Sequence, residues 1–211
     1  SQTAAGMIAI SDNTAADMLI ALVGRDAVEA RAAEWMDDAS ANIPFLTTRQ
    51  MLLLHYVPGL AERYLATPFD QRAAFLAAEV DGRPVADVAA GYSDQPRFID
   101  EIEWFAAAHD VCRAFAGLQQ LAGTPSLAPL SAVLSQEDAG IDLDPSAWPT
   151  VWYKGGSEAG VLTLGWLATN SDGETYVVEA MVANPDEPLA DDSLPDLVAL
   201  ANDSFSLVEH G

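Results

Sequence analysis

Three segments in the last third of the chain constrain its fold most. TVWYKGG (150–156), GVLTLGWLATN (160–170) and ETYVVEAMVAN (174–184) are rich in β-branched and aromatic residues. SEAG joins the first two and SDG the last two, and both are hairpin signals, so the strands pair antiparallel as a meander. A helical pattern from Ser193 to Val208 closes the chain, marked by Leu194, Leu197, Val198, Ala201 and Phe205. Before Asp144-Pro145 the periodicity is helical throughout. A run of helices, then a meander, then a helix predicts an α+β fold.

The helical part divides at turn residues. Thr3 to Ile10 predicts a short helix, Ser11 to Asn13 interrupts it, and Thr14 to Val23 resumes with Met18, Leu19 and Leu22 on one face. Gly24 stops that helix, and Asp26 to Met36 forms the next. Thr47 or Thr48 caps RQMLLLHYV, which Pro58-Gly59 ends. Further helices are predicted over Phe69 to Val80, Arg97 to Leu121 and Leu127 to Leu134. The second is the longest, with Ile99, Ile102, Phe105, Cys112 and Phe115 as its apolar stripe. The predicted organisation is a helical lobe over 1–145 and strands plus a closing helix over 146–211, packed as one unit.

Composition narrows the function. Thirty-two acids against nine Lys and Arg give a net charge of −23. Nucleic acid and anionic membrane need a basic surface and are poor partners. No run of eighteen apolar residues is present, so no membrane insertion is expected within the chain. A single cysteine, Cys112, allows no internal disulfide, and its apolar helical setting predicts a buried thiol. His55, His109 and His210 show no ligand spacing with one another or with acids, so no metal site and no cofactor are expected. The acidic pairs Asp37-Asp38 and Asp191-Asp192 read as helix-end solvation.

Two short stretches carry chemistry. Ser11-Asp12-Asn13 sits between two helical segments. Lys154, the one lysine of the chain, ends an apolar strand and precedes Gly155-Gly156-Ser157, where two glycines permit close approach of a ligand or another backbone. A hydroxyl beside a fixed ammonium loses its proton at lower cost. Among so many acids, one lysine also attracts an anionic substrate locally. Gly155-Gly156-Ser157-Glu158-Ala159 departs from the Gly-x-Ser-x-Gly nucleophile elbow at Ala159, and no parallel βαβ units accompany it.

The pair Ser-Asp-Asn and Lys-Gly-Gly, in that order and on those elements, resembles the penicillin-recognising serine hydrolases, class A β-lactamases in particular. The resemblance extends through Met-Ile-x-x-Ser-Asp-Asn-Thr-Ala-Ala-Asp-x-Leu from Met7, through Val23 to Val28, and through Thr47 to Met51. It implies a β-lactamase-like fold and an acyl-enzyme reaction on a small lactam, ester or amide. It implies that Ser11 relays a proton to the leaving group and that Asn13 holds the substrate amide. Asp12 braces the loop. Lys154 supplies positive charge beside the relay serine and the substrate carboxylate, and Ser157 gives a backbone N–H to the oxyanion hole. It also implies a secreted, periplasmic or cell-envelope location.

The chain departs from the family pattern in four ways. No Ser-x-x-Lys is present, since Val151 stands three residues before the one lysine. The family places that motif several dozen residues before Ser-Asp-Asn, so the nucleophile is expected in a segment upstream of Ser1, and the fold is incomplete at its N-terminus without it. No Glu-x-x-Leu-Asn segment follows Gly24, and Glu29, Glu34, Asp37 and Asp38 stand in other contexts, which implies slow deacylation. The usual Lys-Thr-Gly or Lys-Ser-Gly is Lys-Gly-Gly, which removes a carboxylate-binding hydroxyl at Gly155, leaving Ser157 as a substitute. The stretch from about Pro68 to Ser146 is long. These departures leave a second expectation open, a non-catalytic domain that uses the fold for binding.

Overall fold

A computed structural model describes residues 2–209; Ser1 and His210 lie outside them. Three strands, β1 (Thr150–Glu158), β2 (Val161–Thr169) and β3 (Thr175–Ala183), form an antiparallel sheet in the order β1-β2-β3. Glu158 pairs with Val161, so only Ala159 and Gly160 make the first turn. Gly160 takes the left-handed conformation (φ 82°) that such a turn requires. The second turn is longer: the Asn170 side-chain oxygen accepts from the N–H groups of Asp172 and Glu174.

Alternation along the strands sends side chains to two different layers. Leu162, Leu164, Trp166 and Ala168 pack with Ala201 and Phe205 of the closing helix α10 (Ser193–Glu209). On the opposite face, Trp152 and Leu167 meet Phe115 of α8 (Ala108–Ala122) and Leu134 of α9 (Pro129–Leu134). The indole N–H of Trp152 reaches the Ser131 hydroxyl at 3.0 Å, so this large ring is buried without an orphaned donor.

A second helical core forms around α4 (Thr48–Tyr56), whose Leu53 and Leu54 are fully buried with Leu60, Tyr64, Leu76 and Ile102. Thr47 is its cap, in a reciprocal box with Gln50. The Asp17 carboxylate of α2 (Asn13–Val23) accepts from the N–H groups of Thr48 and Arg49 at 2.7 and 3.0 Å. A negative charge at a helix N-terminus satisfies orphan donors and favours the helix dipole. Asp17, four residues after Asn13, thereby ties α2 to the main helical core. Two further helices, α1 (Gln2–Ala9) and α3 (Arg25–Trp35), flank α2.

The structure corrects three expectations. Residues 97–107 are not helical; the helix starts at Ala108, and α10 with 17 residues, not the 97–121 segment, is the longest. Phe98 is left-handed (φ 56°), and the buried Asn42 amide pairs with both the N–H and the carbonyl of Phe105 at 2.8 Å. Those side-chain bonds replace the helical ladder for this stretch. The region from Phe69 is helical but changes type, from 3₁₀ to α6 (Arg72–Phe75) and then a π turn over Leu76–Val80. Cys112 is half-buried, not buried. Two short helices, α5 (Leu60–Ala66) and α7 (Ala86–Gly91), were not anticipated. No helix among the described residues is long and apolar enough to cross a membrane.

Candidate functional site

The Ser-Asp-Asn loop is built by its own residues. Asp12 caps α2, accepting from the N–H groups of Thr14 at 2.8 Å and Ala15 at 3.1 Å. The Gly6 carbonyl receives the Asp12 N–H at 3.0 Å, which folds the loop back on α1. Between these anchors Ser11 adopts φ 50°, a conformation that non-glycine residues rarely take and that surrounding bonds must hold. The strain leaves the Ser11 side chain exposed at the helix junction, next to Asn13 at the head of α2.

Lys154 meets it from the sheet. The Lys154 Nζ donates to Ser11 Oγ at 2.5 Å and also to the Gly155 carbonyl. Residues 143 positions apart in sequence thus share one hydrogen bond. Burial pulls the Lys154 pKa below its ordinary value. An ammonium has donors only, so Ser11 accepts from it and is free to direct its own proton outward.

The same row of the sheet carries an acid. Lys154 pairs with Gly165, and Gly165 with Glu179, so both side chains lie on one face with a glycine between them. A Cβ at Gly165 would come within 2.3 Å of the Glu179 carboxyl, which therefore leans across the glycine. Its Oε2 is buried without a partner. Burial pushes this carboxyl up to about 8.

The glycines after Lys154 differ from expectation. A Cβ at Gly155 would lie 2.1 Å from the Tyr153 hydroxyl and 3.1 Å from Leu164 Cδ2. On that face the missing side chain makes room for the Tyr153 phenol, not for a ligand. Residues two apart on a strand share a face, so tyrosine followed two places later by glycine is the sequence signal that was missed. Gly156 is open: only the Thr163 hydroxyl would touch its Cβ, at 3.3 Å. Gly156 and Ser157 are both exposed at the end of β1, an edge strand in which alternate residues turn their N–H groups away from β2. A shallow depression lined by Ser157, Gly160, Leu189 and Leu194 opens beyond them, and neither Ser11 nor Lys154 lines it.

Of the five acids between Gly24 and Thr47, four have structural partners, and Asp26 sits in the first turn of α3. Glu29 accepts from the Phe45 N–H, Glu34 pairs with Arg31, and Asp38 accepts from the Ser40 N–H. Asp37 pairs with Arg113 and with His109. A further group was invisible to linear spacing. His55 of α4, Glu103 of the 97–107 segment and Glu158 at the end of β1 place one ligating atom each within 4.8 Å of one another. Burial, helped by Glu158 beside it, raises the Glu103 pKa strongly.

Comparison with known proteins bears on the fold and the family. The beta-lactamase from Sphaerobacter thermophilus DSM 20745 superimposes with a TM-score of 0.51 at 20% identity. The alignment covers 95% of this chain and 61% of that one, so the chain spans less than two thirds of this neighbour's length. No match was found among curated proteins. The sequence profile of the beta-lactamase enzyme family (Beta-lactamase2) matches residues 1–203. A chain matched over nearly its whole length, with a mixed helical fold around an antiparallel sheet, belongs to the beta-lactamase enzyme family.

Proposed function

We propose that this chain is part of a serine hydrolase of the beta-lactamase type. It acts through an acyl-enzyme on a lactam, ester or amide, and its nucleophile is supplied by a segment outside these 211 residues. The observation that carries the proposal is the 2.5 Å contact between Lys154 Nζ and Ser11 Oγ, which brings the two motifs together.

In the proposed reaction the nucleophilic hydroxyl adds to the substrate carbonyl carbon and gives its proton to a base in its own segment. The oxyanion receives a hydrogen bond from the Ser157 backbone N–H. The carbonyl carbon then loses its bond to the leaving nitrogen or oxygen. That atom takes the Ser11 hydroxyl proton, and the Lys154 ammonium replaces it on Ser11. The low pKa that burial gives Lys154 eases this second transfer. Asn13 orients the substrate amide. Gly155 and Gly156 let the substrate backbone lie along β1, with the approach on the Gly156 side because Tyr153 fills the other. With Glu29, Glu34, Asp37 and Asp38 held by structural partners and Asp26 in the first turn of α3, deacylation is slow.

Stopped-flow mixing of the full-length protein with a chromogenic lactam and a chromogenic ester tests this. A burst of product equal to the protein concentration, followed by slow turnover, is expected. No reaction with either would favour the non-catalytic binding domain instead, and steady product release with no burst would contradict slow deacylation.

A further inference from the structure

The Asp37, His109 and Asp110 cluster already holds a cation, since the Arg113 guanidinium contacts both carboxylates. The second cluster does not. Among the described residues no Lys or Arg ion-pairs with Glu103 or Glu158, and the Arg97 guanidinium nearby lies over the Phe98 ring. Two carboxyl groups and an imidazole therefore face one another in the space between α4, the 97–107 segment and β1.

The imidazole is fixed. His55 is 1% exposed, and its Nε2 lies 2.7 Å from the Ile102 carbonyl. A carbonyl accepts only, so Nε2 carries the hydrogen and the neutral ring presents a bare lone pair at Nδ1. Donation from one ring nitrogen to a backbone carbonyl is how metal-binding histidines are commonly oriented. The Nδ1 lies 3.8 Å from Glu158 Oε2. That distance is too long for a hydrogen bond. It suits two ligands on one ion, because bonds of about 2.0–2.2 Å put tetrahedral ligands about 3.4 Å apart and never more than about 4.4 Å. The third ligand has a vacant acceptor: Glu103 Oε1 is buried and has no hydrogen-bond partner.

From this geometry we infer that His55, Glu103 and Glu158 form a binding site for a divalent cation of the zinc class. One imidazole nitrogen with two carboxylates is a ligand set for Zn²⁺ and its neighbours; Ca²⁺ and Mg²⁺ take oxygen ligands in larger number. The ion takes the place of the proton that otherwise sits between Glu103 and Glu158. It also pins the end of β1 to α4 through Glu158, the residue after Ser157. Neither Ser11 nor Lys154 is among its ligating residues.

The test uses the protein after treatment with a chelator, with Co²⁺ as the spectroscopic probe and Zn²⁺ as competitor. A saturable visible absorption at one Co²⁺ per chain is expected, displaced by Zn²⁺. Glu103→Gln and Glu158→Gln, both near-isosteric, should each weaken it at least tenfold, while Asp37→Asn should leave it unchanged. In the unsubstituted protein, Zn²⁺ should shift the His55 Nδ1 nitrogen resonance, a readout independent of how well any variant folds. Absence of the Co²⁺ spectrum, or of the nitrogen shift, would overturn the inference and leave a proton alone between the two glutamates. Binding that survives both Gln substitutions would place the metal elsewhere and overturn it too.

Discussion

Replacing Lys154 by Met separates catalysis from stability. Methionine fills similar space and removes the ammonium that donates to Ser11 Oγ. A hydrogen bond with one charged partner is worth about 1.5–3 kcal/mol. If it is realised in the transition state, its loss slows acylation about 10- to 150-fold. Stability should move the other way. Burial lowers the folded-state pKa of Lys154, so in the window between its folded and unfolded pKa values the unfolded chain holds more protons. Stability then rises with pH through that window, and below it the buried charge costs stability at every pH. Methionine removes that cost, so the variant should unfold at the same temperature as the parent or higher. The assay pairs the acylation rate, followed by stopped-flow with a chromogenic lactam, with a thermal melt. An acylation rate within about twofold of the parent would remove Lys154 from the mechanism. A fall in rate matched by a fall in melting temperature would make it a structural residue.

Three other outcomes follow from the geometry. Ser11→Gly should keep or raise stability, because glycine relieves the φ of 50° at about 1 kcal/mol, yet it should slow leaving-group departure as severely as Ser11→Ala; urea unfolding and single-turnover rates measure both. Gly155→Ala should destabilise by about 1–3 kcal/mol through overpacking against the Tyr153 hydroxyl, and adding Tyr153→Phe should recover part of the loss; equal stability of single and double variants would refute the contact. Glu179, raised from 4.5 to about 8 by burial, holds a proton in the folded chain that the unfolded chain has released. Stability should therefore fall as pH rises between about 4.5 and 8, and Glu179→Gln should flatten that slope in urea titrations; an unchanged slope would show that Glu179 titrates normally.

Local signals made the sheet legible. Runs of β-branched and aromatic residues broken by glycine turns have no competing helical reading, and the hairpins followed directly. The closing helix was equally plain. The 97–107 segment was not, because Ile99, Ile102 and Phe105 fall at a spacing of three by coincidence. Ile99 and Ile102 are buried and Phe105 half-buried, on a looped backbone held by Asn42, a residue far away in sequence. The contact of Ser11 with Lys154 was anticipated through the family resemblance and not through spacing; nothing local joins residues 143 positions apart. The three ligating residues at His55, Glu103 and Glu158 had no linear signature, since three separate elements bring them together. The filling of the Gly155 space by Tyr153 was readable in principle from strand alternation.

The central claim is that Ser11 and Lys154 serve an acyl-enzyme completed by a nucleophile from another segment. Intact-mass measurement of the full-length protein after exposure to a penicillin-class lactam tests it most directly, followed by peptide mapping of any adduct. One lactam mass per protein is predicted, persistent over time, on a serine outside the present 211 residues, and formed much more slowly in the Lys154→Met variant. Absence of any adduct, or an adduct formed at the same rate without Lys154, would contradict it.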